Sequence, residues 1–155
     1  MYTTNGYDTS FNGTSDIYVA MFRTNGSRVW STYYGGSSAD QVQALATDKW
    51  GNVYATGYTY SNSGLATAGA FQTTVSGGGL PESGFLVKFD SSCHLKWGTY
   101  YGNNATSAHS IVCDSGSSIY FSGTTSSTTG IASATDAYQS TYAGGTGGGG
   151  ASDMF

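Results

Sequence analysis

The side chains that could carry out catalysis are few in this chain and widely separated. Two histidines, His94 and His109, stand among many serines and threonines. A histidine acts as a general base only with its partners in hydrogen-bond reach, and neither histidine lies in a pattern that supplies them. The sequence also lacks the Gly-x-Ser-x-Gly turn that exposes a serine nucleophile. We therefore expect no catalytic residue in this segment, and we expect it not to be an enzyme.

Cysteines and aspartates give no metal signature. Cys93 and Cys113 are not part of a Cys-x-x-Cys pair, which argues against zinc. They are expected to be separate small residues, with a disulfide between them as the alternative. Single aspartates recur at predicted strand ends or turns, where a short acceptor caps backbone amides: Asp16, Asp48, Asp90 and Asp114. Since a calcium loop needs several oxygen ligands at alternating positions, we expect no bound metal.

Glycine-rich runs give no cofactor signature either. Residues 77–79 and 144–150 are glycine-rich, but neither run is followed by the Lys-Ser or Lys-Thr pair of a phosphate-binding loop. They predict flexible linkage instead. No cofactor is expected.

Tyrosine gives the main binding signal. Six tyrosines flank predicted strand ends: Tyr33, Tyr34, Tyr58, Tyr60, Tyr100 and Tyr101. A tyrosine combines a large apolar ring with a hydroxyl, which suits a sugar or a peptide. Asp40, Tyr58 and Tyr60 are the candidate ligand-binding residues. The alternative is that the tyrosines pack between sheets, because large aromatic side chains usually supply core area.

These residues lie in a repeated unit. Residues 85–102 (FLVKFDSSCHLKWGTYYG) nearly copy residues 18–35 (YVAMFRTNGSRVWSTYYG), 67 positions earlier. In each copy apolar residues alternate with others, as they do when successive side chains point to opposite faces of a strand. Each copy therefore predicts a β-hairpin. Asn25-Gly26 predicts a primed turn; Cys93 replaces Gly26, and a left-handed backbone there would cost roughly 1 kcal/mol.

Two further strands follow each hairpin. After the first hairpin and a polar connection (GGSSAD), we predict strands at 44–48 and 53–59, and after the second at 110–113 and 119–125. Residues 152–155 (SDMF) restart the hairpin. Four short strands in each unit form a sheet the size of a propeller blade.

The motifs resemble the SBBP repeats, a bacterial family of seven-bladed β-propeller repeats often found in large secreted or cell-surface proteins. The family pattern is Trp-Ser-Thr-Tyr-x-Gly-Gly, Asp, Asp-x-x-Gly-Asn, Val-Tyr-x-Thr-Gly-x-Thr and Gly-Ala-Phe-Gln. It is matched, in that order, by residues 30–36, Asp40, 48–52, 53–59 and 69–72. The second unit departs from it at Cys93, His94, Asn103, Ser117 and Ser118.

The resemblance implies an all-β fold of propeller blades, each a four-stranded antiparallel sheet, in an open fragment of about two blades. Residues 1–35 would be the outer half of one blade with its preceding loop. Residues 42–102 would form one complete blade, and 109–155 the inner half of the next with a long Gly-rich loop. Within the complete blade, the strand at 44–48 would be innermost and the strand at 95–101 outermost.

Composition limits the partners. Aromatic residues make up 15% of the 155 residues and charged residues 9%, which predicts a folded chain rather than a disordered one. A net charge of -4 argues against nucleic acid. No apolar run is long enough for a membrane helix, so we expect no membrane insertion. The N-terminus lacks signal-peptide features, and a signal, if the parent protein is secreted, would lie upstream.

The resulting expectation is a non-catalytic propeller segment of a secreted or cell-surface bacterial protein. It would act as a scaffold or recognise protein or carbohydrate at the propeller rim, and its other partners would be neighbouring blades of the same chain. The alternative is part of a propeller hydrolase or lyase acting on polysaccharide. Its catalytic residues would then lie in blades outside this segment.

Overall fold

The computed structural model describes residues 6–75, 82–132 and 137–140, and the backbone of residues 153 and 154. Across these residues the regular elements are all β-strands, which confirms the predicted all-β fold. In chain order they are β1 (Ile17–Phe22), β2 (Arg28–Tyr34), β3 (Asp40–Thr47), β4 (Val53–Thr59), β5 (Ser83–Phe89), β6 (Leu95–Tyr101), β7 (Thr106–Cys113), β8 (Ile119–Thr125) and β9 (Asp153–Met154). The runs at 77–79 and 144–150 lie outside the described residues.

The strands form three antiparallel sheets. The central sheet has four strands in the order β3-β4-β5-β6, so each strand pairs with its neighbour in sequence. Strands β1 and β2 form a two-stranded sheet, and β7, β8 and β9 a three-stranded sheet. By the repeat, β1–β2 correspond to β5–β6, and β7–β8 correspond to β3–β4.

The four tight hairpin turns share one backbone geometry. In the β5–β6 turn the Cys93 N–H donates to the Asp90 carbonyl at 3.0 Å, and the Asp90 N–H donates to the His94 carbonyl at 2.9 Å. Cys93 has a φ of +69°, so it keeps the left-handed backbone of Gly26, whose φ is +83°. The turn type is therefore unchanged by the substitution.

The primed turn predicted for Asn25-Gly26 is wrong. Gly26 is left-handed but Asn25 is not, whereas a type I′ turn needs positive φ at both central residues. The loop is instead a type I turn followed by the left-handed Gly26. The register shift between Met21 and Phe22 lies further along the hairpin, where Val29 of β2 has no partner. A single left-handed residue therefore reverses the chain.

A bulge also interrupts β3 in the β3–β4 pair and β7 in the β7–β8 pair. Gln43 in β3 and His109 in β7 have no partner in the register of their strand pairs. Opposite the bulges stand Gly57 and Gly123, where an added Cβ would lie 2.0 Å from a carbonyl oxygen of the partner strand. Only glycine therefore lets the two backbones approach this closely.

Two hydrophobic layers join the three sheets. One face of β1–β2, with Ile17, Trp30 and Tyr34, packs against the β5–β6 face that carries Phe85 and Phe89. The opposite face of the central sheet packs on β7–β8 through a second cluster of residues: Tyr54, Leu86, Trp97, Ile111 and Phe121. The central sheet is thus covered on both faces. No helix in the described part of the chain could cross a bilayer.

Candidate functional site

Tyr58 and Tyr60 form a compact aromatic pair at the end of β4. Their ring centroids lie 5.9 Å apart and the ring planes are perpendicular. Both side chains are half-buried. The backbone fixes them, since β4 holds Tyr58 between β3 and β5 and the Tyr60 N–H donates to the Ala39 carbonyl at 2.9 Å. The pair is therefore preorganised.

Two polar side chains flank this pair. The Tyr58 hydroxyl donates to Oε1 of the exposed Gln41 at 2.6 Å. The Glu82 carboxylate lies near enough to Tyr60 for its negative charge to act on the Tyr60 hydroxyl. Burial, followed by the negative charge of Glu82, raises the pKa of Tyr60. We call these four residues, Gln41, Tyr58, Tyr60 and Glu82, the rim cluster.

Asp40 lies beside the rim cluster but faces inward. It is the first residue of β3, rather than part of the predicted polar connection, and only 1% of it is exposed. One carboxylate oxygen accepts from the Thr59 hydroxyl, and the other accepts from the Gly36 N–H at 2.8 Å and the Ser61 hydroxyl at 3.2 Å. Burial raises its pKa above the ordinary aspartate value. Its acceptor positions are thus engaged within the chain.

The repeat shows what Asp40 does. The N–H of Asp40 donates to the Ser15 carbonyl, as the N–H of Thr106 donates to the Glu82 carbonyl. The Thr106 hydroxyl in turn bonds the Thr125 hydroxyl at 2.8 Å, in the place of the Asp40–Thr59 contact. Because a neutral threonine fills the same position in the next unit, the geometry indicates a joint between successive sheets.

Of the other four tyrosines, two lie in the core and two are half-buried. Tyr34 and Tyr100 are buried, and Tyr34 packs edge-on against Phe89 with centroids 5.7 Å apart. Tyr33 and Tyr101 are half-buried. Packing between sheets, the alternative considered from sequence, therefore describes Tyr34 and Tyr100.

A groove that sequence reasoning missed lies on the Trp97 side of β6. It has a volume of about 560 Å³ and is lined mainly by aromatic and small residues. Phe71 stacks on Tyr101 with centroids 6.0 Å apart, and Tyr101 meets Phe121 edge-on at 4.9 Å. Its walls come from segments about 50 positions apart, from Phe71 to Phe121, so no local pattern could have signalled it.

The histidines and turn aspartates make local contacts. His94 Nδ1 lies 3.1 Å from Asp90 Oδ2, and the other Asp90 oxygen accepts the His94 and Ser92 N–H groups at 2.9 Å. Asp48 and Asp114 accept turn amides in the same way. His109 is the bulge residue of β7, and its Nε2 lies 3.1 Å from the Thr124 hydroxyl. These aspartates act as the predicted turn caps.

Both cysteines are free thiols. Cys93 is buried, Cys113 is half-buried, and burial raises the pKa of each. Among the described residues, no group of three or more His, Cys, Asp or Glu side chains could hold a metal ion.

Comparison with protein families gives a match over part of the chain. Residues 29–64 match the family model of the SBBP β-propeller repeat. The match runs from the second residue of β2 through β3 and β4 and into the loop that holds Tyr60. No curated protein matches the chain.

Proposed function

We propose that this segment, whose residues 29–64 match the family model of the SBBP β-propeller repeat, is a non-catalytic propeller scaffold that recognises carbohydrate through its rim cluster. The observation that carries the proposal is the perpendicular Tyr58–Tyr60 pair, with Gln41 Oε1 bonded to Tyr58 and the charge of Glu82 acting on Tyr60. We further propose a secreted or cell-surface setting, where polysaccharide is available.

The chemistry of the rim cluster favours a sugar. An aromatic ring offers its face to the apolar C–H groups of a pyranose, and nearby acceptors bind its hydroxyls. Gln41 supplies an amide oxygen and Glu82 a carboxylate at the two ends of the tyrosine pair. Because the rings are already fixed by β4 and by the Tyr60 amide bond, binding loses little conformational entropy.

The scaffold role is supported by how the titratable groups are engaged. Asp48, Asp90 and Asp114 cap turns. The Asp40 carboxylate accepts from the Thr59 and Ser61 hydroxyls and the Gly36 N–H. Acid-base catalysis needs a group aimed at a reacting atom, while these carboxylates are aimed at backbone amides and hydroxyls of their own chain.

The first test measures binding to an array of bacterial and plant polysaccharides. Tyr58→Ala and Tyr60→Ala should each weaken binding at least about tenfold, since a lost stacking surface is worth more than about 1.4 kcal/mol. Tyr120→Ala is the matched control. Tyr120 is also an exposed tyrosine, but it lies near the start of β8, whereas the rim tyrosines lie at the end of β4. Unchanged binding in both rim variants, or equal loss in the control, would refute the proposal.

The same array separates the scaffold from the hydrolase or lyase alternative. A scaffold leaves a bound polysaccharide at its original length. Shortened products after prolonged incubation, measured by chromatography of the released sugar, would favour the enzyme.

A further inference from the structure

The tip of the β1–β2 hairpin carries an asparagine that is followed directly by glycine. Asn25 and Gly26 are both exposed, and so are their neighbours Thr24 and Ser27. Among the described residues, no atom would lie within 4 Å of a Cβ added at Gly26. The backbone at this tip is therefore open to water and is not held by packing.

Two donors converge on the side-chain oxygen of Asn25. The Ser27 N–H donates to Asn25 Oδ1 at 3.0 Å, and the Ser27 hydroxyl donates to the same oxygen at 2.7 Å. Donors about 2.7–3.1 Å from such an oxygen stabilise the negative charge that develops there when a nucleophile attacks the carbonyl carbon. The amide carbon of Asn25, Cγ, is thus activated toward a nucleophile.

The backbone nitrogen of Gly26 is the nucleophile that the chain itself places next to Cγ. Its attack closes a five-membered ring made of this nitrogen and four carbons of Asn25. A glycine lacks the Cβ that would crowd this ring, and its backbone adopts conformations that other residues avoid. An asparagine followed by glycine therefore presents the least steric resistance to ring closure.

We propose that Asn25 is a site of spontaneous deamidation. The Gly26 nitrogen gives up its proton and forms a bond to Asn25 Cγ, while the bond from Cγ to the side-chain nitrogen breaks and ammonia leaves with that proton. Water then opens the cyclic imide at either of its two carbonyl groups. One opening leaves an aspartyl residue at position 25 and the other leaves an isoaspartyl residue, with no oxidation or reduction.

One hydrogen bond opposes the first step. The Gly26 N–H donates to the Arg23 carbonyl at 2.9 Å, which closes the turn, and this bond must open before the nitrogen can attack. The bonds from Ser27 to Asn25 Oδ1 lie within residues 25–27 and do not depend on it. The amide carbon therefore stays activated while the turn opens, and exposed turns open more readily than packed segments.

Asn12 provides a comparison within the same chain, because it too is followed by glycine. Its side-chain nitrogen donates to Asp8 Oδ2 at 2.8 Å, and the Gly13 N–H donates to Asp16 Oδ1 at 3.1 Å. A carboxylate beside the Gly13 N–H disfavours loss of its proton, since two negative charges would then adjoin. Gly13 is also confined, because an added Cβ would lie 2.0 Å from a backbone carbonyl oxygen. Asn12 should therefore react more slowly than Asn25.

The second hairpin lacks the reactive pair. Ser92 and Cys93 stand 67 positions after Asn25 and Gly26, and Cys93 keeps the left-handed backbone of Gly26. A serine has no side-chain amide to lose. Of these two equivalent turns, only the one between β1 and β2 can therefore undergo this reaction.

Deamidation would change the β1–β2 turn in two ways. A carboxylate replaces a neutral amide between Arg23 and Arg28 in the chain. An isoaspartyl linkage also adds a methylene group to the backbone, which displaces the Gly26 N–H from the Arg23 carbonyl. We expect the isoaspartyl form to unfold at a lower urea concentration than the parent protein, because the turn loses its closing hydrogen bond.

The test follows deamidation of the folded 155-residue chain by mass spectrometry during incubation at neutral and at mildly alkaline pH. Trypsin cleaves after Arg23 and Arg28, so residues 24–28 (TNGSR) form a peptide whose sole side-chain amide is that of Asn25. Asn12 is located by fragmentation of the peptide 1–23. Asn25 should convert at least about tenfold faster than Asn12. Its rate should be higher at the higher pH, because the Gly26 amide must lose its proton.

Variants and urea separate the effect of the fold from that of the dipeptide. Ser27→Ala should slow deamidation of Asn25 about three- to tenfold, the loss expected for one neutral hydrogen bond. Ser92→Ala changes an exposed serine of the other hairpin and should leave the rate unchanged. In concentrated urea both Asn-Gly pairs lose their contacts, so Asn12 and Asn25 should react at similar rates.

Three results would each overturn the proposal. These are equal rates at Asn12 and Asn25 in the folded protein, an unchanged rate at Asn25 in Ser27→Ala, and a ratio of the two rates that is the same in urea as in buffer. Cooperative thermal melting shows that each variant is folded when its rate is measured.

Discussion

At the scale of single residues, the hairpin turns are defined by one left-handed position. Gly26 and Gly51 fill it in two turns, and Cys93 and Ser117, each with a φ of +69°, fill it in the other two. At Cys93 the strain of the left-handed backbone is offset by burial of the side chain in the core between β1–β2 and the central sheet. Ser117 has no such offset, since its buried hydroxyl has no hydrogen-bond partner among the described residues.

Replacing Ser117 and Cys93 by glycine should therefore have opposite effects. Ser117→Gly removes left-handed strain, and we expect the free energy of unfolding to rise by about 1 kcal/mol. Cys93→Gly relieves the same strain but loses a buried side chain, so stability should fall. Urea denaturation measures both. A destabilised Ser117→Gly would show that the backbone at this position is not the limiting feature.

At the scale of elements, each hairpin of the central and last sheets is capped by an aspartate. The pKa of Asp114 is lowered, foremost by the Ser118 N–H that donates to its carboxylate at 2.8 Å. At Asp48 and Asp90 partial burial acts to raise the pKa, but hydrogen bonds led by those from Asn52 and His94 outweigh it, so the pKa is lowered there too.

These caps predict an acid-sensitive fold. Because the folded-state pKa lies below the unfolded one, each carboxylate adds stability that is full above the ordinary aspartate pKa and is lost as pH falls through the folded value. The urea midpoint should therefore drop between about pH 5 and pH 2. A variant carrying Asp48→Asn, Asp90→Asn and Asp114→Asn should show a flatter profile over this range. If the urea midpoint of that variant falls with pH as steeply as that of the wild type, the turn aspartates are not the source of the acid sensitivity.

At the scale of the whole molecule, the central sheet is the most enclosed unit. It is packed on one face by β1–β2 and on the other by β7–β8, whereas within the described residues the hydrophobic clusters cover one face of each flanking sheet. Repeat architectures of this kind derive stability from contacts between neighbouring units.

Hydrogen exchange should follow this order. We expect the amides of β4 and β5 to exchange most slowly and those of β1 and β8 faster at low concentration, because local opening needs less energy where fewer contacts are lost. Mass-spectrometric exchange of peptides measures this. Equal protection of β1 and β5 at low concentration would contradict the ranking.

The sequence by itself determined the kind of element and its order along the chain. The alternation in β4, β6 and β8 predicted their bounds as observed, because strand formation depends on side-chain period, which is local. Strands β3 and β7 were predicted to begin four residues late. Their bulges at Gln43 and His109 interrupt the alternation, which hides the first half of each strand.

Only the tertiary structure decided which faces are covered. Tyr34 and Tyr101 have the same sequence context, yet Tyr34 is buried under Phe85 and Phe89 while Tyr101 lines an open groove. In the same way, the sequence places Asp40 in a polar connection, whereas in the structure its carboxylate is enclosed by Thr59 and Ser61. Burial depends on contacts between segments brought together by sheet packing, and a pattern of period two carries no information about that packing.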